Sequence, residues 1–304
     1  MKTKLHVILW LLILSLPLQA QDYVDIVKLS SNNAFLKNNQ NESIMNAYNQ
    51  NLQVYFPVRI NERLVVITGL TVENTNLDLL DGNARENLLM TRLNLGIKHK
   101  HTEKLTGTYL VLPKIASNFK HIGLQDLQIG GLALWDYQVS DLWKIKFGIY
   151  VSTENHGSTI TPLIGAWFRS PNKKFYINAV LPIRMDINYN IIKGFSVGAD
   201  FLTSVKSYDL SANTRNAYVH ENSIRAGAYL SYGFKDNSFI IRVRGGYDVT
   251  RYGLYNSNDI VGGQILLFTL TPDTRNQLNP RFMGGGYIGG DLIYRFDLNK
   301  EKKK

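Results

Sequence analysis

Two short segments carry side chains that could do chemistry. In the segment 154–158, Glu154, His156 and Ser158 could supply an orienting carboxylate, a general base and a nucleophile. Gly157 and Ser158 are also ordinary turn residues, and we favour a turn. The second segment is the pair His99 and His101, which has no third ligand close in sequence and is therefore expected to lie in a solvated turn. We expect neither an enzyme nor a metal or cofactor site.

The charged residues of the chain alternate with apolar residues, so that the charges fall on one face of each predicted strand. A charge facing lipid costs roughly 2–4 kcal/mol at the bilayer midplane, so these residues are expected to face a lumen. Two interpretations remain for them. They pair with one another as structural salt bridges, or a surplus of Arg and Lys lines a water path that favours anions. The lumen-lining candidates are Arg59, Arg92, Lys144, Lys146, Arg225, Arg242, Arg244, Asp248, Asp291 and Arg295.

Two pairs of like charges occupy alternate positions, Lys144 with Lys146 and Arg242 with Arg244. Alternate strand residues lie about 7 Å apart on one face, and two cations that close repel unless an anion lies between them. Asp291, on a neighbouring strand, could neutralise one of the arginines. No equally close carboxylate is evident for the two lysines, so they are predicted to favour anions in the lumen.

These residues belong to a chain that reads as one strand after another from about residue 22 to 298. Many consecutive strands with one apolar and one charged face predict a closed antiparallel transmembrane β-barrel. Such barrels have an even number of strands, with the long loops on one side. The chain meets both conditions only with an opening strand at 23–29 and a tight reversal near Pro182. The prediction is then fourteen strands with long loops near 30–43, 74–87, 114–125, 207–222 and 252–284. Twelve is the alternative, with 175–191 as one bent strand.

The ends of the chain indicate export. Lys2 and Lys4 precede an apolar run that Pro17 interrupts, and Ala20 offers a cleavage position, so residues 1–20 are predicted to be a signal peptide. The barrel is predicted to span 21–298, and 299–304 to form a basic periplasmic tail. The chain has no cysteine, which excludes disulfides and thiolate metal sites. The chain is basic, but its arginine and lysine residues do not form a stripe with stacking aromatic residues, so no nucleic-acid partner is expected.

The stretch from Leu52 to Leu70, together with Leu181-Pro182 and the segments 187–189 and 193–196, resembles an uncharacterised outer-membrane barrel family of Bacteroidota, the domain-of-unknown-function family DUF6268. The final strand, with Gly289, Tyr294 and Phe296, is similar to the assembly signal that ends such barrels. The resemblance implies the fold and an outer-membrane location. It supplies no catalytic residues to carry over.

We expect a channel or porin-like conduit for small, possibly anionic, solutes in the outer membrane of a Gram-negative cell. The alternative is a structural or envelope-interaction barrel without transport, and a hydrolase acting on lipid is less favoured. The expected partners are outer-membrane lipid and lipopolysaccharide, and the barrel-assembly machinery through the last strand. Aromatic girdles at the membrane interface are predicted from Trp135, Tyr137, Trp143, Trp167, Tyr247 and Tyr294.

Overall fold

A computed structural model describes residues 23–297 apart from 40–41, 81–84, 121, 211–215 and 267. The predicted signal peptide and basic tail lie outside these residues. The wall strands are β1 (Tyr23–Asn38), β2 (Ile44–Arg59), β3 (Leu64–Leu77), β4 (Glu86–Lys100), β5 (Leu105–Ser117), β6 (Leu127–Ser140), β7 (Trp143–Glu154), β8 (Gly157–Arg169), β9 (Phe175–Leu181), β10 (Arg184–Ile192), β11 (Phe195–Asp209), β12 (Ala217–Phe234), β13 (Phe239–Asp248) and β18 (Gly285–Asp297). Between the last two lie β14 (Arg251–Asn256), β15 (Gln264–Ile265), β16 (Phe268–Thr269) and β17 (Phe282–Met283), and a 3₁₀ turn covers Leu124–Asp126.

The wall is closed. Each wall strand pairs antiparallel with the next along the chain, β13 pairs with β18, and β18 returns to β1. The barrel therefore has fourteen strands in the described part of the chain, as the sequence predicted. The deciding element is the reversal at Pro182, where β9 and β10 pair as separate strands.

None of the helices in the described ranges has the length and apolar character needed to cross a membrane.

The outer surface of the wall is apolar. On β7, Ile145, Phe147, Ile149 and Val151 are exposed, and the intervening Lys146 is buried inside the barrel. The same alternation runs along β13 and β18, where Ile241, Val243 and Leu292 are exposed. A continuous apolar belt of this kind is costly in water, and lipid removes that cost.

One end of the barrel carries mostly tight turns, such as 60–63, 101–104 and 193–194, and we call it the short-turn end. The other end carries the longest connections, including residues 257–284, which we call the strap. In outer-membrane barrels the short turns face the periplasm and the longer loops face outward. By this rule, the short-turn end is expected to face the periplasm.

Side chains pack across the lumen at the long-loop end. Inward-facing apolar residues from both halves of the wall form one buried cluster, the mouth core: Ala34, Leu36, Met45, Ala47, Leu77, Leu79, Leu88, Met90, Ala116, Tyr208, Leu210, Ala217, Val219, Tyr252, Leu254, Phe282 and Tyr287. The wall also pairs with itself across the lumen, because Ser117 of β5 and Asp209 of β11 are parallel β partners. The strands extend into this packing, which explains why the loops predicted at 30–43 and 207–222 are largely strand.

The β9–β10 hairpin is short and leaves a notch in the wall. It pairs with β8 only from Ile164 downward and with β11 only up to Leu202. The strap fills part of this notch, since β15 pairs parallel with β8 through Gln264 with Thr159 and Ile265 with Ile160. The strand pair β15–β16 is thus a hairpin of the strap laid against the wall.

Candidate functional site

Most charged side chains of the lumen are paired with each other. Arg225 and Asp248, on β12 and β13, form an ion pair of 2.7 Å, and Asp248 is fully buried. The two residues are also cross-strand partners in the ladder, so the register itself brings them together. At this height of the wall, the inward charges pair with one another as structural salt bridges.

Asp291 on β18 is shared between two cations. Its carboxylate is 3.6 Å from the Nζ of Lys28 and forms an ion pair with Arg244. Arg244 also lies 3.5 Å from Asp200. Asp291 therefore neutralises one arginine of the predicted pair, and that arginine is Arg244.

Arg242 forms no ion pair within the described residues, although only 8% of it is exposed. Its guanidinium lies over the ring of Tyr229, with 3.9 Å from Cζ to the ring centroid, and its Nε lacks a hydrogen-bond partner. The nearby carboxylate of Asp186 accepts hydrogen bonds from the hydroxyls of Tyr229 (2.6 Å) and Tyr176 (2.8 Å). Arg242 is thus a buried cation left without a bonded anion.

The expectation that neither lysine of β7 has a close carboxylate was wrong for Lys146. Its Nζ lies 3.4 Å from Asp136, which faces it directly across the β6–β7 ladder. Lys144 instead lies over the ring of Trp167, with 5.6 Å from Nζ to the centroid, and makes no ion pair in the part of the chain described. Lys146 therefore has a carboxylate partner, and Lys144 has none among the described residues.

The remaining candidates occupy different depths of the inner face. Arg59 lies at the rim of the short-turn end, where its Nε donates to the backbone oxygen of Asn61. Arg92 of β4 is half-buried and its Nε has no hydrogen-bond partner among the described residues. Arg295 of β18 forms an ion pair with Asp25, 2.6 Å from Nε to Oδ1. Their placement on the inner face leaves their predicted role in solute passage open to experiment.

A cavity of about 730 Å³, which we call the vestibule, lies inside the short-turn end. Its lining comes from β1, β8–β13, β18 and the adjoining turns, and includes Tyr23, Trp167, Arg169, Lys173, Lys174, Tyr176, Asn188, Asn190, Lys193, Ser196, Ser231, Asp236, Ile240, Arg242 and Arg295. Lys173 and Lys193 are exposed in its turns, so solvent reaches it from the short-turn end. The vestibule is thus a part of the lumen that solvent can reach.

Trp167 corrects the predicted girdle, because it is buried inside the barrel and lines the vestibule. It shares its parity on β8 with buried Thr159, Thr161 and Leu163, whereas Ile160 and Ile164 face outward. The alternation of side chains along the sequence of β8 already predicts that Trp167 faces inward. Proximity to the strand end alone does not place an aromatic residue on the lipid side.

Two buried ionic clusters beneath the mouth were missed by sequence reasoning. Lys206 of β11 pairs with Glu73 and, at 3.3 Å, with Glu221, whose other oxygen accepts from the Tyr208 hydroxyl (3.1 Å). In the second cluster, Lys114 lies 2.5 Å from Glu154, which also accepts from the backbone nitrogen of Ser207. Both clusters connect β11 to strands that are distant in sequence. Alternation within one strand predicts that these residues face inward, but it does not predict which residues pair with each other.

The residues of the candidate triad are separated by the β7–β8 turn. Gly157 has φ of +125°, and the reversal leaves Ser158 exposed while His156 is fully buried. His156 contacts Thr159 instead, at 3.5 Å. The segment is thus a turn, the interpretation favoured from the sequence, and its geometry does not join a base to a nucleophile.

His99 lies near the end of β4 and His101 in the turn that follows, with 3.2 Å between their Nδ1 atoms, and His101 contacts the Tyr109 hydroxyl at 2.8 Å. No group of three His, Cys, Asp or Glu residues that could hold a metal ion is present among the described residues. The pair therefore lacks the further protein ligands of a closed metal site.

Beyond the apolar belt, the strap is held to the mouth by polar contacts around two stacked histidines, His156 and His220, whose ring centroids are 3.9 Å apart. Arg275 of the strap lies 3.1 Å from the Nδ1 of His220 and donates to the Tyr218 hydroxyl at 2.8 Å. Val261 donates its backbone N–H to the oxygen of His156. Burial lowers the pKa of His156 to about 4 and lowers that of His220 well below its usual value. The closed mouth thus contains two neutral imidazoles.

A closed barrel with an apolar outer belt and a charged interior is an outer-membrane β-barrel. Residues 19–285 match the family model described as Domain of unknown function (DUF6268), and the chain belongs to this family, as the resemblance in its hairpins indicated. No curated protein matches the chain.

Solved structures that resemble the barrel share little sequence with it. An outer-membrane channel from Pseudomonas putida F1 has 8% identity and a TM-score of 0.45, over 93% of this chain and 98% of that one. The NanC porin has 12% identity and a TM-score of 0.34, over 87% and 98%. The translocator domain of the autotransporter NalP from Neisseria meningitidis has 10% identity and a TM-score of 0.37, over 95% and 93%. At these values the functional argument rests on the lumen itself.

Proposed function

We propose that the protein is a gated outer-membrane channel for small solutes, with a preference for anions. The observation that carries this proposal is the vestibule, a solvent-reached cavity inside the wall whose lining is rich in arginine and lysine. Low-dielectric walls around charges of one sign focus the field and raise the local concentration of counter-ions. Arg242 in that lining and Lys144 beside it have no bonded carboxylate, so their positive charge acts on a passing solute.

Gating is part of the proposal because the mouth core fills the opposite end of the lumen. The strap secures this end through Arg275, Val261 and the β15–β8 pairing. Passage therefore requires the strap to leave the mouth and the core beneath it to loosen. In such a channel, solutes would enter the lumen freely from the periplasmic end and meet their barrier at the outer face.

Engineered cysteines test the gate cleanly, because the natural chain has none. Paired strand residues lie within the Cα separation that a disulfide spans, so Thr159→Cys with Gln264→Cys would lock the strap to β8. In planar bilayers we expect anion-selective openings that the disulfide abolishes and a reductant restores. Thr153→Cys with Ser158→Cys is the control, since it links β7 to β8 without the strap.

A structural barrel without transport is the second candidate, and the packed mouth favours it. The two functions differ in one experiment, in which residues 257–284 are replaced by a short flexible linker. A channel conducts once the strap is removed. If the shortened barrel migrates as a folded protein in unheated SDS gels and stays silent in bilayers, the channel proposal fails and the structural role stands.

A further inference from the structure

We propose that the vestibule is a binding site for a small ring-bearing organic anion, whose carboxylate or phosphate is bound by Arg242. The inference deepens the proposed channel function, because it names the class of solute that the periplasmic end would hold. It can also be tested without any conductance measurement. The argument rests on the state of Arg242, the charge around it and the shape of the cavity.

Arg242 as a residue is more than nine-tenths buried; it lines the vestibule, and its Nε is buried without a hydrogen-bond partner. Neither neighbouring carboxylate forms an ion pair with it. Asp291, directly opposite in the ladder, is held by Arg244 and Lys28, and Asp186 accepts the hydroxyls of two tyrosines. A buried charge without a partner is costly, and an anion bound at this point would remove that cost.

Tyr229 fixes the orientation of this guanidinium. Its ring lies beneath the guanidinium of Arg242, and its hydroxyl is anchored by Asp186 and by Asn188, whose Nδ2 lies 3.1 Å away. The stacked plane limits rotation, so the donor edge is positioned before a ligand arrives. A planar guanidinium held in this way matches the two oxygens of a carboxylate or phosphate.

The rim of the vestibule adds positive charge that would attract such a ligand. Lys173 and Lys174, in the β9 turn, make no ion pair within the ranges described, whereas Lys193 is 3.7 Å from Asp236. Arg295 is bound to Asp25 and contributes less net charge. Charges at the mouth of a cleft raise the rate at which anions enter it, and the buried Arg242 would hold them.

The cavity has the size and lining for an organic ligand rather than a bare ion. Its volume of about 730 Å³ falls within the range of small-molecule sites. Trp167 and Tyr176 supply aromatic wall, and the hydroxyls of Ser196 and Ser231, 2.7 Å apart, supply polar wall. A ring with one anionic group would place the ring between the aromatic side chains and the group on Arg242.

Trp167 makes binding measurable by its own fluorescence, because it lines the site. The purified barrel is titrated with benzoate, phenyl phosphate, inorganic phosphate and neutral benzyl alcohol, and isothermal titration calorimetry provides a second measure. We expect saturable quenching by the two ring-bearing anions, at least about 10-fold weaker binding of inorganic phosphate, and weaker binding still of benzyl alcohol. Which anion binds more tightly separates a carboxylate site from a phosphate site. Trp167→Phe should remove the signal while Trp135 and Trp143 remain.

Arg242→Gln is expected to weaken binding of the preferred anion by about 10- to 100-fold, the usual effect of losing a charged hydrogen-bond donor. Arg242→Lys, which keeps the charge but not the plane, should lie between. Arg92→Gln is the matched control, since Arg92 is another inward arginine with an unpartnered Nε that lies outside the vestibule lining.

Folding of each variant is checked by its migration in unheated SDS gels, and Arg242→Lys alone decides the matter if Arg242→Gln does not fold. The proposal is overturned if benzyl alcohol binds as tightly as benzoate, if neither anion produces heat or quenching, or if a folded Arg242 variant binds as the wild type does. Binding by a barrel that is silent in bilayers would retain this site and refute only the channel.

Discussion

Acidification should release the strap, and His156 sets the size of the effect. This imidazole is fully buried in the closed mouth, and burial lowers its pKa to about 4. Glu154 opposes the shift, whereas Arg275 and Lys114 add to it, and the stacked His220 is also held neutral. When the strap leaves, the exposed imidazole would return to an ordinary pKa of about 6.5.

The direction of the pH effect follows from the difference between the pKa values of His156 in the closed and open states. A histidine whose pKa is depressed in the closed state stabilises that state fully above about pH 6.5, and the stabilisation is lost as the pH falls toward 4. For His156 alone, the loss is about 2 kcal/mol at pH 5 and about 3 kcal/mol below pH 4. The equilibrium constant for strap opening should therefore rise about 20-fold between pH 7 and pH 5. His220 shifts in the same direction and adds to it.

Hydrogen exchange at the backbone amide of Val261 reports this opening, because that amide donates to the oxygen of His156. After correction for the intrinsic pH dependence of exchange, protection should fall between pH 7 and pH 5 in wild type. The double substitution His156→Asn with His220→Asn should flatten the response, and His101→Asn, at the far end, should leave it unchanged. A double variant with the wild-type pH slope would refute the reasoning.

Two further predictions concern charges in the lumen. Lys144→Glu should lower the preference for anions, measured as a shift in reversal potential. Lys146→Glu should do the same and should also impair assembly, because the new carboxylate would face Asp136. Equal behaviour of the two variants would contradict this distinction. Lys206→Ala should destabilise the barrel by about 3–5 kcal/mol, since it leaves buried carboxylates unpaired, and the unheated form should be lost at lower temperature in SDS gels. The exposed Lys193→Ala is its control, and equal melting of both variants would count against the buried cluster.

Alternation along each strand predicted the architecture well, because one face meets lipid and the other does not. The parity of Lys146 or Arg242 could be read directly, and the break at Pro182 gave the strand number. Pairing could not be read in this way. Whether Lys146 meets Asp136 depends on the register between β6 and β7, and a shift of one residue would turn Asp136 away.

Alternation along a strand also does not predict how deep in the lumen an inward-facing residue lies. Leu36 and Tyr208 are inward residues like Arg242, but the first two pack across the mouth with partners from distant strands. Their contacts require the wall to close first. The same holds for Lys206 and Glu73, which are far apart in sequence and meet only inside the finished barrel. The sequence therefore located the lumen face but not the barrier across it.

The composition of the mouth core bears on how the barrel is made. Leu36 comes from the first strand and Tyr287 from the last, and these strands become neighbours only when the ring is completed. The outer end therefore cannot be sealed during insertion, since an incomplete sheet holds only part of its apolar contents. We therefore expect the mouth core to be completed only after β18 meets β1, and a barrel that has not yet closed would leave Leu36 and its neighbours exposed.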